Sequence, residues 1–211
     1  MMTATDWHDR WAKGRTGWHE TEGNAGLRAH WRFDAERVLV PLCGKTPDLV
    51  WLAERGHDVV GVELSDIAIR DFFTEQHLSS EEVRESPLTA YRCRELPITL
   101  YHGDYFEFNA PPFDAVYDRG ALVAIDPRLR EKYVRHTRRL LAEDAAILLI
   151  TLEYDQTVVA GPPFALMPDE LDAYFGDLER VFEQDDIDNC PPKFREAGLT
   201  EIREVVWRTP G

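Results

Sequence analysis

Cysteine is scarce in this chain: Cys43, Cys93 and Cys190 are all there are in 211 residues. They are odd in number, far apart and free of C-x-x-C spacing. Neither a disulfide framework nor a cysteine zinc site follows from them, and a reducing cytoplasm is the expected setting. No apolar run reaches bilayer-spanning length, and the opening MMTATDWHDRW has no apolar h-region. A transmembrane helix and a secretory signal are therefore not expected. Positive charge is in deficit: 24 Lys and Arg against 39 Asp and Glu leave a net charge of −15. Such a surface repels phosphate backbones and anionic bilayers, so no nucleic acid and no membrane is expected as a partner. The histidines make no H-E-x-x-H or other ligand spacing, so no metal is expected, and no G-x-S-x-G element is present.

What is present is an alternation of short apolar runs with amphipathic stretches. That is the signature of βαβ units and a parallel sheet. A helix is expected over 6–13, capped by Thr5 or Asp6, then a loop over 15–24 and a short helix over Ala25–Trp31. Strands are expected at Arg37–Pro41, Asp58–Val62, Ile98–Tyr101, Asp114–Tyr117 and Ala145–Leu152. Between them, helices are read over Asp48–Arg55, ended by Gly56, and from a Ser65 cap to about His77. Another runs from Pro127 to Leu141. AAILLITL is the most apolar run, as suits the centre of a sheet covered on both faces. Met167–Phe175 and Pro191–Ala197 read as helices. Leu178–Gln184 and Glu201–Arg208 alternate like an antiparallel edge pair. No element is assigned to 78–97. The expected fold is α/β: a doubly wound, mostly parallel, seven-stranded sheet with an antiparallel C-terminal edge pair. With no linker visible, it forms one domain over 1–211, and 1–35 serve as an N-terminal arm.

The segment VLVPLCGKTPDLVWLAERGHDVVGVELS carries the strongest chemistry. A strand ends, a tight turn follows, a helix starts, and a second strand ends in an acid. Ligands in open α/β sheets bind beyond the carboxyl ends of strands. Gly44 lets backbone approach a ligand, and Glu63 is placed to accept from both ribose hydroxyls. The turn is not G-x-G-x-x-G. A pyrophosphate favours that glycine-rich form, whereas S-adenosylmethionine has no phosphate and tolerates one glycine. The other reading is a βα corner that binds nothing.

Three more pieces fall at the same sheet edge. Asp104, Tyr105 and Phe106 follow the third strand, where Asp104 accepts from an adenine amine or simply makes a turn beside core aromatics. Asp118-Arg119-Gly120 follows the fourth. Arg119 there either holds a carboxylate or an anionic nucleophile or is a structural partner of Asp118. Trp7 and Trp11 lie one helical turn apart, with Trp18 and His19 after them; they form a lid over the cofactor or anchor the arm to the core. Gly161-Pro162-Pro163-Phe164 is a stiff apolar loop suited to a flat substrate. Cys43 reads as a small packed thiol rather than a nucleophile.

In this order, W-x-x-x-W with a following W-H (Trp7, Trp11, Trp18, His19), VLVPLCGK (38–45), VVGVELS (59–65), YDRGALVAI (117–125) and YDQ…AGPPF (154–164) resemble the thiopurine S-methyltransferase family. One departure is Trp18, where the family more often has phenylalanine. The resemblance implies a class I methyltransferase fold with S-adenosylmethionine as methyl donor. It implies cofactor contacts by Trp11, Leu42, Glu63, Asp104, Tyr105 and Arg119, with Arg119 also near the acceptor. The family's usual acceptors are thiopurines, and relatives act on other thiols, selenium or tellurium species, or halides.

Methyl transfer is an in-line displacement in which the protein aligns the reacting groups and excludes water. Arg119 is expected to orient a small-molecule thiol or favour its thiolate rather than to move a proton. Two alternatives stay open. An NAD-type oxidoreductase is opposed by the one-glycine turn and by the lack of a Tyr-x-x-x-Lys pair. A module that binds S-adenosylmethionine without catalysis is the other. A monomer is the default expectation.

Overall fold

A computed structural model describes residues 3–176 and 178–210. The first two residues of the expected arm lie outside the described residues. The elements are α1 (Ala4–Ala12), α2 (Ala25–His30), β1 (Arg37–Pro41), α3 (Asp48–Ala53), β2 (Asp58–Glu63), α4 (Asp66–Glu75), β3 (Ser80–Glu85), β4 (Leu88–Cys93), β5 (Ile98–His102), β6 (Phe113–Arg119), α5 (Pro127–Leu140), β7 (Leu141–Glu153), α6 (Pro168–Phe175), β8 (Glu179–Asp185), α7 (Lys193–Glu196) and β9 (Arg203–Arg208).

The strands form one sheet in the order β3-β4-β5-β2-β1-β6-β7-β9-β8. The five strands from β5 to β7 are parallel, and antiparallel pairs close both edges. Among the described residues the sheet therefore has nine strands, where seven are expected from sequence. The additional pair is the β3–β4 hairpin, which falls in the unassigned 78–97 stretch. Its outer strand, SEEVRE, is charged and largely exposed. Charge on an edge strand blocks further pairing, and it also hides the strand from a reading based on apolar alternation.

Side chains alternate across each strand, and the two faces bury different helices. Val38 and Val40 pack with Leu27, Leu49, Leu52, Ile69 and Phe72 under α2, α3 and α4. Leu39 packs with Tyr133, Val134, Leu171 and Phe175 under α5 and α6. From β1 the chain winds outward through β2 and β5 on one side and through β6 and β7 on the other. The carboxyl ends of β1 and β6 thus diverge at a topological switch point, where a crevice opens.

Helix starts agree with their chemistry. Ser65 accepts the Ala68 N–H and caps α4, and Asp126 accepts the Arg128 N–H ahead of Pro127 at the start of α5. Helix α1 begins earlier than expected. Thr3 is its cap rather than Thr5 or Asp6, because Thr3 and Asp6 form a reciprocal capping box.

Candidate active site

The loop after β1 is bent sharply. Leu42 and Gly44 both have positive φ, 47° and 56°. For leucine this is a costly conformation, of the kind that clusters at functional sites. The turn is fixed from its neighbour strand: the Cys43 N–H donates to the Val62 carbonyl at 3.1 Å. At the tip of β2, Glu63 Oε2 accepts the Gly44 N–H and Oε1 accepts the Ser65 N–H, each at 2.8 Å. One carboxylate thereby joins the loops after β1 and β2. Burial pushes its pKa up, against the stabilising Ser65 and Gly44 N–H groups.

Packing beneath this loop explains a second glycine. A Cβ on Gly61 would lie 2.7 Å from Cys43 Sγ and 2.7 Å from Leu100 Cδ2. The Cys43 thiol fills the space that Gly61 leaves. Burial first, then the Glu63 charge, hold its pKa well above the ordinary thiol value. It is packing, not a nucleophile.

The opposite wall comes from β6, β7 and β9. Register places Arg119 beside Ile150, and Leu152 beside Glu204. Tyr117, Arg119, Ile150, Leu152 and Glu204 all line one cavity. The Tyr117 hydroxyl donates to Asp48 Oδ2 at 2.8 Å, and the Asn24 N–H donates to Asp48 Oδ1 at 2.8 Å. Arg119 Nη1 donates to the Trp18 carbonyl at 2.8 Å, and Nη2 pairs with the Glu20 carboxylate. Burial opposes the guanidinium charge, but Glu20, Tyr117, Glu204 and Asp48 together raise its pKa. Asp118 is not its partner. Adjacent residues on a strand face opposite ways, and Asp118 accepts instead from the Tyr133 hydroxyl at 2.7 Å and the Leu122 N–H at 3.0 Å. Burial brings Asp118 to a pKa of about 6.

Trp7, Arg10, Trp11, Trp18 and His19 of the N-terminal segment line the crevice. Trp18 meets Trp7 and Trp11 edge-on, with ring centroids 5.4 and 5.8 Å apart. Trp11 also stands over the cradle, since a Cβ on Gly44 would lie 3.4 Å from its ring. The cavity has a volume of about 190 Å³.

Of the residues expected at the site, Trp11, Leu42, Gly44, Glu63 and Arg119 line this cavity together. Asp104 and Tyr105 do not appear in its wall. The Tyr105 ring is buried among core residues, with its hydroxyl 2.9 Å from Thr137 Oγ1. Asp104 Oδ1 accepts the Phe106 N–H at 2.9 Å and starts a short 3₁₀ turn. That turn carries Tyr105 inward rather than toward the crevice. Asp48, Asp186, Asn189, Cys190 and Glu204 also line the cavity and were not expected there. Glu204 had a signal: it falls between Ile202 and Val206, both buried, at an inward-facing position of an alternating strand.

The family model described as thiopurine S-methyltransferase matches residues 2–210. A thiopurine S-methyltransferase from Photobacterium profundum is 40% identical over 211 residues, covering 98% of each chain. One from Bordetella petrii is 42% identical over 216 residues, again covering 98% of each. Among solved structures, a 1,6-didemethyltoxoflavin-N1-methyltransferase from Burkholderia thailandensis superposes with a TM-score of 0.61 at 18% identity, covering 98% of this chain and 87% of that one. An S-adenosylmethionine-dependent methyltransferase from Anabaena variabilis superposes with a TM-score of 0.62 at 14% identity, covering 100% and 96%. At those identities the structures bear on the fold, which they share as class I methyltransferases. The chain belongs to the thiopurine S-methyltransferase family, and is a methyltransferase that uses S-adenosylmethionine.

Proposed function

We propose that this enzyme methylates a small thiol, with a heteroaromatic thiol as the best-fitting class. The observation that carries the reading is the shape of the cavity. One side is the strained Leu42–Gly44 loop, fastened to Glu63. The other is a wall bearing Arg119, Leu152 and the Pro162–Pro163 loop.

The cradle suits S-adenosylmethionine. The space above Gly44 would be taken up by any Cβ facing Trp11. Lys45, the cation nearest the turn, is bound to Glu75 at 2.5 Å and lies 3.6 Å from Asp71, so its charge is already matched. A phosphate-free ligand fits such a loop better than a pyrophosphate does. When bound, the cofactor supplies an activated methyl group. In this reading Glu63 accepts from the ribose hydroxyls, and Leu42 and Trp11 cover the nucleoside. Asp104 and Tyr105, whose side chains are engaged elsewhere and which do not line this cavity, take no part in the site in this reading. Residues 1–35 act as a lid on a single domain spanning 1–211.

Arg119 has three N–H donors left after its contacts with Trp18 and Glu20, among the described residues. In this reading it orients the acceptor and fastens the lid. The flat apolar surface of Pro162 and Pro163 suits an aromatic ring. The acceptor is a small molecule rather than nucleic acid, and the protein acts as a monomer in the cytoplasm. No helix among the described residues is long and apolar enough to cross a membrane. A labelled-methyl assay across heteroaromatic thiols, aliphatic thiols, selenite and halides tests the reading. Transfer to aromatic thiols above the others is the expected result, and preferential transfer to halide or selenite would replace it.

A further inference from the structure

The acidic side chains of the cavity differ in how firmly their charge is held. Glu63 has two backbone N–H donors at 2.8 Å. Asp48 has the Tyr117 hydroxyl and the Asn24 N–H, both at 2.8 Å. Glu20, just behind the wall, has Arg119. Half-buried Asp186 accepts from Asn189 Nδ2 at 2.7 Å. Among the described residues Glu204 has only two side-chain amides, Gln184 Nε2 at 3.1 Å and Asn24 Nδ2 at 3.5 Å. It is 5% exposed and has no ion-pair partner among the described residues.

We propose that Glu204 receives the acceptor's proton during methyl transfer. This rests on the thiol-methyltransferase reading above. The groups facing Glu204 are Arg119 from β6, Glu20 from the arm, Asp186 and Cys190 from the segment after β8, Gln184 from β8 and Asn24 from the start of α2. Arg119 is matched by Glu20, so Asp186 and Glu204 leave this end of the cavity negative. The Cys190 thiol lines the same cavity. Burial, then Asp186 and Glu204, push its pKa up to about 12. A substrate thiol bound beside it is held protonated in the same way and needs somewhere to release its proton. Burial and Asp186 bring Glu204 to about 7, near the ordinary thiol value of about 8.5, where a carboxylate is an effective base.

The step balances. The acceptor sulfur bonds to the methyl carbon as the sulfonium–methyl bond breaks. The S–H proton passes to the Glu204 carboxylate, and S-adenosylhomocysteine and the methyl thioether leave as neutral products. The Glu204 proton then goes to water. It also follows that an acceptor arriving already ionised must bring a proton with it, because a third negative charge beside ionised Asp186 and Glu204 is strongly opposed.

The test is binding of a nitro-substituted aromatic thiol, ionised throughout the range, to the protein saturated with S-adenosylhomocysteine, from about pH 6 to about pH 9. In the wild type its affinity is expected to fall about tenfold per unit above about pH 7, and in Glu204→Gln to be flat. With an un-ionised aromatic thiol, turnover of Glu204→Gln is expected to drop about 100-fold. Unchanged S-adenosylhomocysteine affinity shows that the variant is folded. A flat wild-type curve, the same slope in both proteins, or no binding at all overturns the proposal. If the thiol binds with the expected slope yet no acceptor is methylated, the thiol-transfer reading fails while Glu204 remains the proton site.

Discussion

Glu63 accepts the Gly44 N–H on one carboxylate oxygen and the Ser65 N–H on the other, so a single side chain holds the loops after β1 and β2 together. An amide cannot replace it. Gln has one acceptor oxygen, and its NH₂ would face a backbone N–H. Glu63→Gln is expected to weaken S-adenosylmethionine binding about 10- to 100-fold by calorimetry and to cost about 1–3 kcal/mol of stability in urea. Full affinity in the variant would remove Glu63 from the ribose site.

Arg119 is the bolt between β6 and the arm. It reaches the Trp18 carbonyl and the Glu20 carboxylate from the tip of its strand. Arg119→Met leaves both without their cation. Amide exchange over 5–19 is expected to speed up at least about tenfold, with a parallel loss of methyl transfer. Glu20→Gln moves both in the same direction by less. If exchange and turnover were both unchanged in Arg119→Met, neither the bolt nor the orienting role would stand.

Gly61 has no room for a side chain. Gly61→Ala sets a methyl 2.7 Å from Cys43 Sγ and from Leu100 Cδ2. The expected cost is about 1–3 kcal/mol by denaturant unfolding. Adding Cys43→Ala removes one of the two clashes and is expected to restore part of that loss. Strict additivity of the two changes would contradict this packing.

Stability is expected to fall as pH rises from mildly acid to neutral. Asp118 moves from an ordinary 3.8 to about 6 in the fold, and Glu204 from 4.5 to about 7. Both are raised, so the native state binds more protons than the unfolded chain between the two values. Their contribution is complete below the unfolded values and is lost as pH rises through the folded ones. Glu204→Gln is expected to flatten the upper part of that slope, between about pH 4.5 and about 7, by on the order of a few kcal/mol. Unfolding curves at matched ionic strength check this. An unchanged slope in the variant would mean that Glu204 carries its proton equally in both states.

The sequence disclosed most where period and burial coincide. RVLVP, DVVGVE and AAILLITL are apolar because both sheet faces are covered, and their strands lie where that pattern puts them. It was silent where one face meets water: Ser80–Glu85 is a strand because β4 pairs with it, not because its residues favour one. The meeting of Gly44 and Glu63 was legible, since their spacing follows from one βαβ turn. Tyr105 was less so, since a 3₁₀ turn decides whether an aromatic faces crevice or core. Arg119's partner is 99 residues away, at Glu20, and no local pattern encodes such a contact. The cavity contributions of Asp186, Asn189 and Cys190 come from a loop brought in by the antiparallel β8–β9 pair, which is likewise tertiary information.

Methyl transfer from S-adenosylmethionine to a small thiol is proposed for the cavity between Glu63 and Arg119. The most direct measurement is radiolabel transfer from methyl-labelled S-adenosylmethionine to a heteroaromatic thiol, with product identified by mass. The expected products are an S-methyl thioether and S-adenosylhomocysteine in equal amounts, with turnover reduced in Glu63→Gln and Arg119→Met. Tight cofactor binding with no labelled product from any thiol would contradict it.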